Sequence, residues 1–128
     1  MAHILVYLQR TPQGLHPASA VALCLARDLG SERGATVTAM CAGDAGELDR
    51  AMVSAAGRHG ADVMVFCGPG GIERLQQRLS PVHTLVPWTA EGIAAASGLV
   101  SGAAIPRWVD ARRPDWGSPD ATTGIVAG

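Results

Sequence analysis

Gly68-Pro69-Gly70-Gly71 is the segment of this chain best suited to holding an anion. It follows an apolar run and leads into a helical pattern. Backbone N–H groups with no side chains in the way would gather there at a helix N-terminus and cradle a phosphate. No Lys-Ser/Thr follows, so it is not a Walker loop, and it lacks the Gly-x-Gly-x-x-Gly dinucleotide fingerprint. A tight strand-to-helix turn uses the same residues for steric reasons alone, and that is their commoner use.

Cysteine and histidine offer less. Cys41 and Cys67 each close an apolar run and would share a sheet edge with His83 or His16, where a metal or redox pair is conceivable. Without CxxC or His-x-His spacing, buried cysteines behave as small hydrophobes, and Cys24 lies beside an apolar helix face as packing. His16 reads as a helix-start residue and His59 as a helix-end cation favoured by the dipole. No Ser-His-Asp set, Cys-His set or carboxylate pair can be assembled from neighbouring segments, so enzymatic activity is unsupported. The three Trp, set beside one Phe and one Tyr, all fall in the last third. Trp108, Arg112 and Trp116 combine the residue types enriched at interface hot spots and are the candidate partner-binding residues; covering the flank of their own sheet is the equal alternative.

The elements that must position these residues begin with Ile4-Leu5-Val6-Tyr7-Leu8, an apolar run without alternation. Such a run suits a strand buried on both faces, as in a parallel sheet between two helix layers. Pro17 opens a helix whose apolar face ends near Leu29, with Gly30 placed to stop it. Strands follow at Ala35–Cys41 and Asp62–Cys67, separated by a helix that Asp44 can cap with Glu47 in the capping-box position. A short helix carries Ile72, Leu75 and Leu79 inward. A fourth strand spans Val82–Val86, and Thr89 caps a small-residue helix reaching about Val100, in which Gly92 and Gly98 are poor helix formers. Ala103–Val109 suits a fifth, edge strand, the only place where Pro106 is tolerated. From there Pro, Asp, Gly, Ser and Thr dominate. The expected organisation is one α/β domain over 1–105 with an irregular Trp/Pro-containing tail over 106–128. The domain would be doubly wound, with a mainly parallel sheet of four or five strands and helices on both faces. Ligands in such sheets sit beyond the carboxyl ends of the strands, which here are Gln9–Gly14, Cys41–Asp44, Cys67–Gly71 and Pro87–Thr89.

A chain of 128 residues can build one real core. Ten Lys and Arg against eleven Asp and Glu leave no basic field, which argues against nucleic acid. The one dense basic spot, Arg107 with Arg112 and Arg113, is diluted by Asp110 and Asp115. No apolar run approaches the roughly 20 residues that span a bilayer, and the first residues lack a signal-peptide pattern. Three widely spaced cysteines make a poor disulfide framework and fit a reducing cytoplasm.

Five pieces in order carry a resemblance: Ile4-Leu5-Val6; Gly14-Leu15-His16-Pro17-Ala18; Ala26-Arg27-Asp28-Leu29-Gly30; Val37-Thr38-Ala39 running to Gly43; and Gly60-Ala61-Asp62-Val63. Together the segment Ile4–Cys67 resembles the N-terminal domain of an electron-transfer flavoprotein alpha subunit. The resemblance implies the adenine-nucleotide-hydrolase-like fold shared with universal stress proteins. In that family the flavin is held mainly by a separate C-terminal domain, so FAD is not expected here and no cofactor is expected in isolation. The implied role is a non-catalytic accessory subunit that docks on itself, as a homo-oligomer, or on a flavoprotein partner. The alternative is a regulatory domain of the stress-protein type holding AMP or ATP, although the spaced glycine pattern of those proteins is not recognisable. Its phosphates would lie at Gly68, Gly70 and Gly71, and its base near Gln9 and Thr11 or Gly43 and Asp44.

Overall fold

The computed structural model describes residues 2–42, 50–68, 71–79, 81, 83–99, 107–109 and 124–127. Within these, residues 51, 72, 96–99, 107–109 and 124–127 are described by backbone alone. The first apolar run forms β1 (His3–Leu8), buried throughout except at His3. A tight antiparallel hairpin of β2 (Arg10–Thr11) and β3 (Gly14–Leu15) leads into α1 (Pro17–Arg33). Next come β4 (Thr36–Ala42), α2 (Arg50–Arg58), β5 (Val63–Cys67) and α3 (Gly71–Leu79). The chain continues through β6 (His83–Pro87), α4 (Ala90–Leu99), β7 (Arg107–Val109) and β8 (Gly124–Ala127).

The six main strands run parallel in the order β5-β4-β1-β6-β8-β7. β1 is therefore central: Ile4 lies opposite Val37 on one side and His83 on the other. Apolar periodicity allows this order or a flavodoxin-like one; the structure has the former, with the first three long strands on one side of the switch point and β6 on the other. Alternate residues of β1 divide the core. Ile4, Val6 and Leu8 pack with Leu23, Leu29, Met52 and Ala56 of α1 and α2, while Leu5 and Tyr7 pack toward Leu75, Leu79 and Ala95 of α3 and α4. Each such buried aliphatic contributes about 1.5–3 kcal/mol, which is why a five-residue apolar run organises the fold.

Three expectations change. Gly30 does not end α1: the helix continues to Arg33, and Gly34 closes it in the left-handed region at φ 65°. A Cβ at Gly30 would stand 3.0 Å from the Ala35 carbonyl oxygen and 3.1 Å from Val37 Cγ2, so that glycine serves close packing of α1 on β4. The edge strand is shorter than expected, Arg107–Val109, and it pairs with β8. β8 itself comes from the stretch read as an irregular tail and separates β6 from β7. Ile125-Val126 is too short an apolar run to stand out from Gly, Asp and Thr, and pairing to Leu85 and Val86 supplies what its sequence lacks.

Candidate functional site

At the carboxyl end of β1 the chain turns sharply into the hairpin. The Gln9 amide donates to the buried Ser19 Oγ at 2.8 Å, and the Gln9 carbonyl accepts from the His16 amide at 3.0 Å. His16 then caps α1, its Nδ1 accepting from the Ala18 amide at 3.0 Å. Thr11 Oγ1 accepts from the Gln13 amide at 3.2 Å and donates to the Gly14 carbonyl at 3.1 Å, which fixes the hairpin. Across the switch point Thr89 caps α4, its Oγ1 accepting from the Gly92 amide at 3.0 Å while donating to Gln9 Oε1 at 2.6 Å. One hydroxyl thus joins the end of β6 to the end of β1.

A cleft of about 510 Å³ opens beside this junction, over the ends of β1 and β4. Leu8, Ala42 and Met52 give it an apolar part; Arg10, Thr11 and Glu91 give it polar groups. Tyr7 donates from its hydroxyl to Glu91 Oε2 at 3.2 Å. Burial, and then the Glu91 carboxylate beside it, push the Tyr7 phenol up to about 12. Burial likewise raises the Cys41 thiol, against the opposing pull of Arg10. Cys67 is raised chiefly by burial, with Glu73 adding to it. Both thiols are therefore neutral hydrophobes at ordinary pH. The cleft offers one cation, one carboxylate, hydroxyls and an apolar wall, which suits binding a small polar ligand with an aromatic part.

Of the residues singled out from sequence, Thr11 lines the cleft and Gln9 ties its base together. Gly68 and Gly71 flank the turn from β5 to α3, where the Gly71 amide donates to the Gly68 carbonyl at 2.9 Å. A Cβ at Gly71 would meet Cys67 Cβ at 3.0 Å, so this glycine also serves packing. Gly70, Gly43, Asp44, Arg112 and Trp116 lie outside the described residues, and Trp108 is the middle residue of β7. His83 begins β6 opposite Ile4, whereas Cys41 stands opposite Leu8. Four residues along a strand is roughly 13 Å, which separates His83 from both strand-end cysteines. Among the described residues no three His, Cys, Asp or Glu side chains are placed to hold a metal ion. No helix there is long and apolar enough to cross a membrane.

Sequence reasoning missed Tyr7, Glu91 and Met52, and passed over Arg10 although it lies inside the strand-end segment Gln9–Gly14. The strand-end rule was the available signal, applied to side chains as well as to glycines. It also missed a pair: Cys24 Sγ lies 3.7 Å from His59 Nδ1, so Cys24 is not packing alone.

No family model matches the chain, and no curated protein matches it in sequence. Solved structures do match it in fold. A universal stress protein solved in complex with cAMP superposes with a TM-score of 0.54 at 13% identity, over 98% of this chain and 94% of that one. The universal stress protein from Archaeoglobus fulgidus gives 0.51 at 12% identity, over 99% and 93%. The described residues share the fold of the universal stress proteins.

Proposed function

We propose that this chain is an adenine-nucleotide-binding regulatory domain whose ligand occupies the cleft over β1 and β4. The observation that carries this reading is the cleft itself. It lies at the strand ends beside the switch point, where such sheets bind ligands, and its volume is within the range of small-molecule sites. The base would rest on the apolar wall of Leu8, Ala42 and Met52, and the phosphate would face Arg10. Arg10 is taken as the phosphate subsite because it lines the cleft, whereas Gly71, its amide engaged within its own turn, does not. The cAMP-bound protein of the same fold supports the ligand class. A binding role, not a catalytic one, accords with neutral thiols and a phenol held at about 12. The accessory-subunit reading has no feature of the cleft in its favour.

Isothermal titration with AMP, ATP, cAMP, adenosine and FAD tests this, with native mass spectrometry reporting stoichiometry. One nucleotide per chain is expected. Arg10→Ala should weaken a phosphorylated ligand by about tenfold or more, the worth of a charge-assisted bond, while leaving adenosine unchanged. A flat response to every adenine nucleotide refutes the proposal. A ligand-free dimer or heteromer would favour the docking-subunit reading instead.

A further inference from the structure

A second small groove lies away from the cleft, on a face of α1 that His59, the residue after α2, meets. Its volume is about 400 Å³, and Val21, Leu25 and Ala20 make most of it apolar, with Asp28 as its one carboxylate. Cys24, half-buried, and His59 meet in it, with Sγ 3.7 Å from Nδ1. The chain builds this meeting deliberately. Immediately after α2, the His59 amide bonds the Ala55 carbonyl at 3.1 Å, and Gly60 turns the backbone at φ 113°. A Cβ at Gly60 would stand 2.5 Å from Arg27 Cβ, so the turn lies flat on α1 and sets the imidazole over the thiol one helical turn before Arg27. The other two thiols are buried and held neutral. Only Cys24 combines access, a base within reach and a groove that can seat a small molecule.

We infer that Cys24 and His59 form a thiol-modification site that exchanges with a low-molecular-weight disulfide. With the ring hydrogen on Nε2, His59 Nδ1 takes the Cys24 proton. The thiolate attacks one sulfur of the disulfide, the S–S bond breaks as the Cys24 mixed disulfide forms, and the departing thiolate recovers the proton from His59. No other oxidant is needed: the small disulfide is reduced to one free thiol and one half bound to Cys24. The groove's apolar side receives the bound half. This site is independent of the nucleotide cleft.

The test uses the full chain and cystamine, a small disulfide whose cationic ends would share the Asp28 carboxylate with Arg27, now 3.3 Å from it. Timed samples are quenched with acid and the mass gained at each cysteine is mapped on peptides. In the folded protein Cys24 should react first, and about tenfold faster than the same cysteine in the urea-unfolded chain, a modest fraction of what a positioned base can supply. Cys41 and Cys67 should stay unmodified on that timescale. His59→Gln should return Cys24 to the unfolded-chain rate while leaving Cys41 and Cys67 protected, which a merely opened structure would not do. Cys24 reacting no faster folded than unfolded, all three thiols reacting together, or an undiminished rate in a folded His59→Gln protein would each overturn the inference. Should that variant fail to fold, the folded-against-unfolded comparison in the unaltered protein decides alone.

Discussion

Gly92 and Gly57 both lie in helices, and replacing each by Ala should move stability in opposite directions. In a helix interior Ala is better than Gly by about 1 kcal/mol, because it fixes less backbone freedom on folding. At Gly57, exposed in the last turn of α2, an added Cβ meets nothing within 4 Å. The gain should be realised there, reduced somewhat by closeness to the helix end. At Gly92, buried in the first turn of α4, the same methyl would run into the Pro87 carbonyl oxygen and stand 2.9 Å from Pro87 Cγ. The obstacle is backbone, and that carbonyl already accepts the Thr89 amide at 2.9 Å. α4 must move off β6, so an overpacking cost of about 1–3 kcal/mol or more overtakes the propensity gain.

Urea unfolding followed by circular dichroism should therefore show Gly57→Ala raising the midpoint slightly, by up to about 1 kcal/mol. Gly92→Ala should lower it by about 2 kcal/mol net, with little change in slope. Displacing α4 also disturbs Thr89 and Glu91, so the second variant should lose ligand affinity out of proportion to its lost stability. A Gly92→Ala protein as stable as the parent would refute the close approach of α4 to β6, and with it the placement of Glu91 in the cleft.

Three further outcomes follow from single contacts. Tyr7 has its folded-state value pushed up to about 12 from an ordinary 10.0, so the unfolded chain loses that proton first. Stability should accordingly fall as pH rises from 10 to 12, and Tyr7→Phe should flatten that part of the curve in pH-dependent urea titrations; the buried thiols add a fall of the same sign from about pH 9. Ser19→Ala removes the acceptor of the Gln9 amide, and should cost about 1–3 kcal/mol and speed amide exchange at Gln9, read by hydrogen–deuterium exchange. Gly34→Ala forces a side chain into the left-handed region at the end of α1, and thermal unfolding should register a loss of about 1 kcal/mol.

The sequence carried the sheet far better than the site, for a physical reason visible in individual residues. Ile4–Leu8 and Val63–Cys67 are legible as strands because they are short, β-branched or aromatic-rich apolar runs closed by turn residues, whether buried throughout as in β1 or only in part as in β5. Thr89 as a cap is equally local, since its partner, the Gly92 amide, is three residues away. Glycine is different. Gly30, Gly34, Gly60 and Gly92 look alike in sequence, yet one yields to a neighbouring strand, two turn the backbone and one admits a proline carbonyl. Only the tertiary approach separates these uses. β8 is the same case in another form: a run of four residues, too short to stand out in sequence, becomes a strand because β6 and β7 offer edges on either side.

The chemistry is legible only after that assembly, since it depends on residues that the crossovers bring together. Tyr7 reaches Glu91 across 84 positions, Gln9 reaches Thr89 across 80, and Cys24 reaches His59 across 35. Each pair joins the end of one element to the start or surface of another, and none leaves a spacing motif. The candidate glycine-rich segment drew notice because its four residues are contiguous, and the described part of its geometry is accounted for by turning and packing. A parallel sheet makes this outcome general. Its strand ends collect side chains from segments separated by whole helices, so the cleft inherits its composition from the order of strands, and that order is what places Arg10 and Glu91 around one volume.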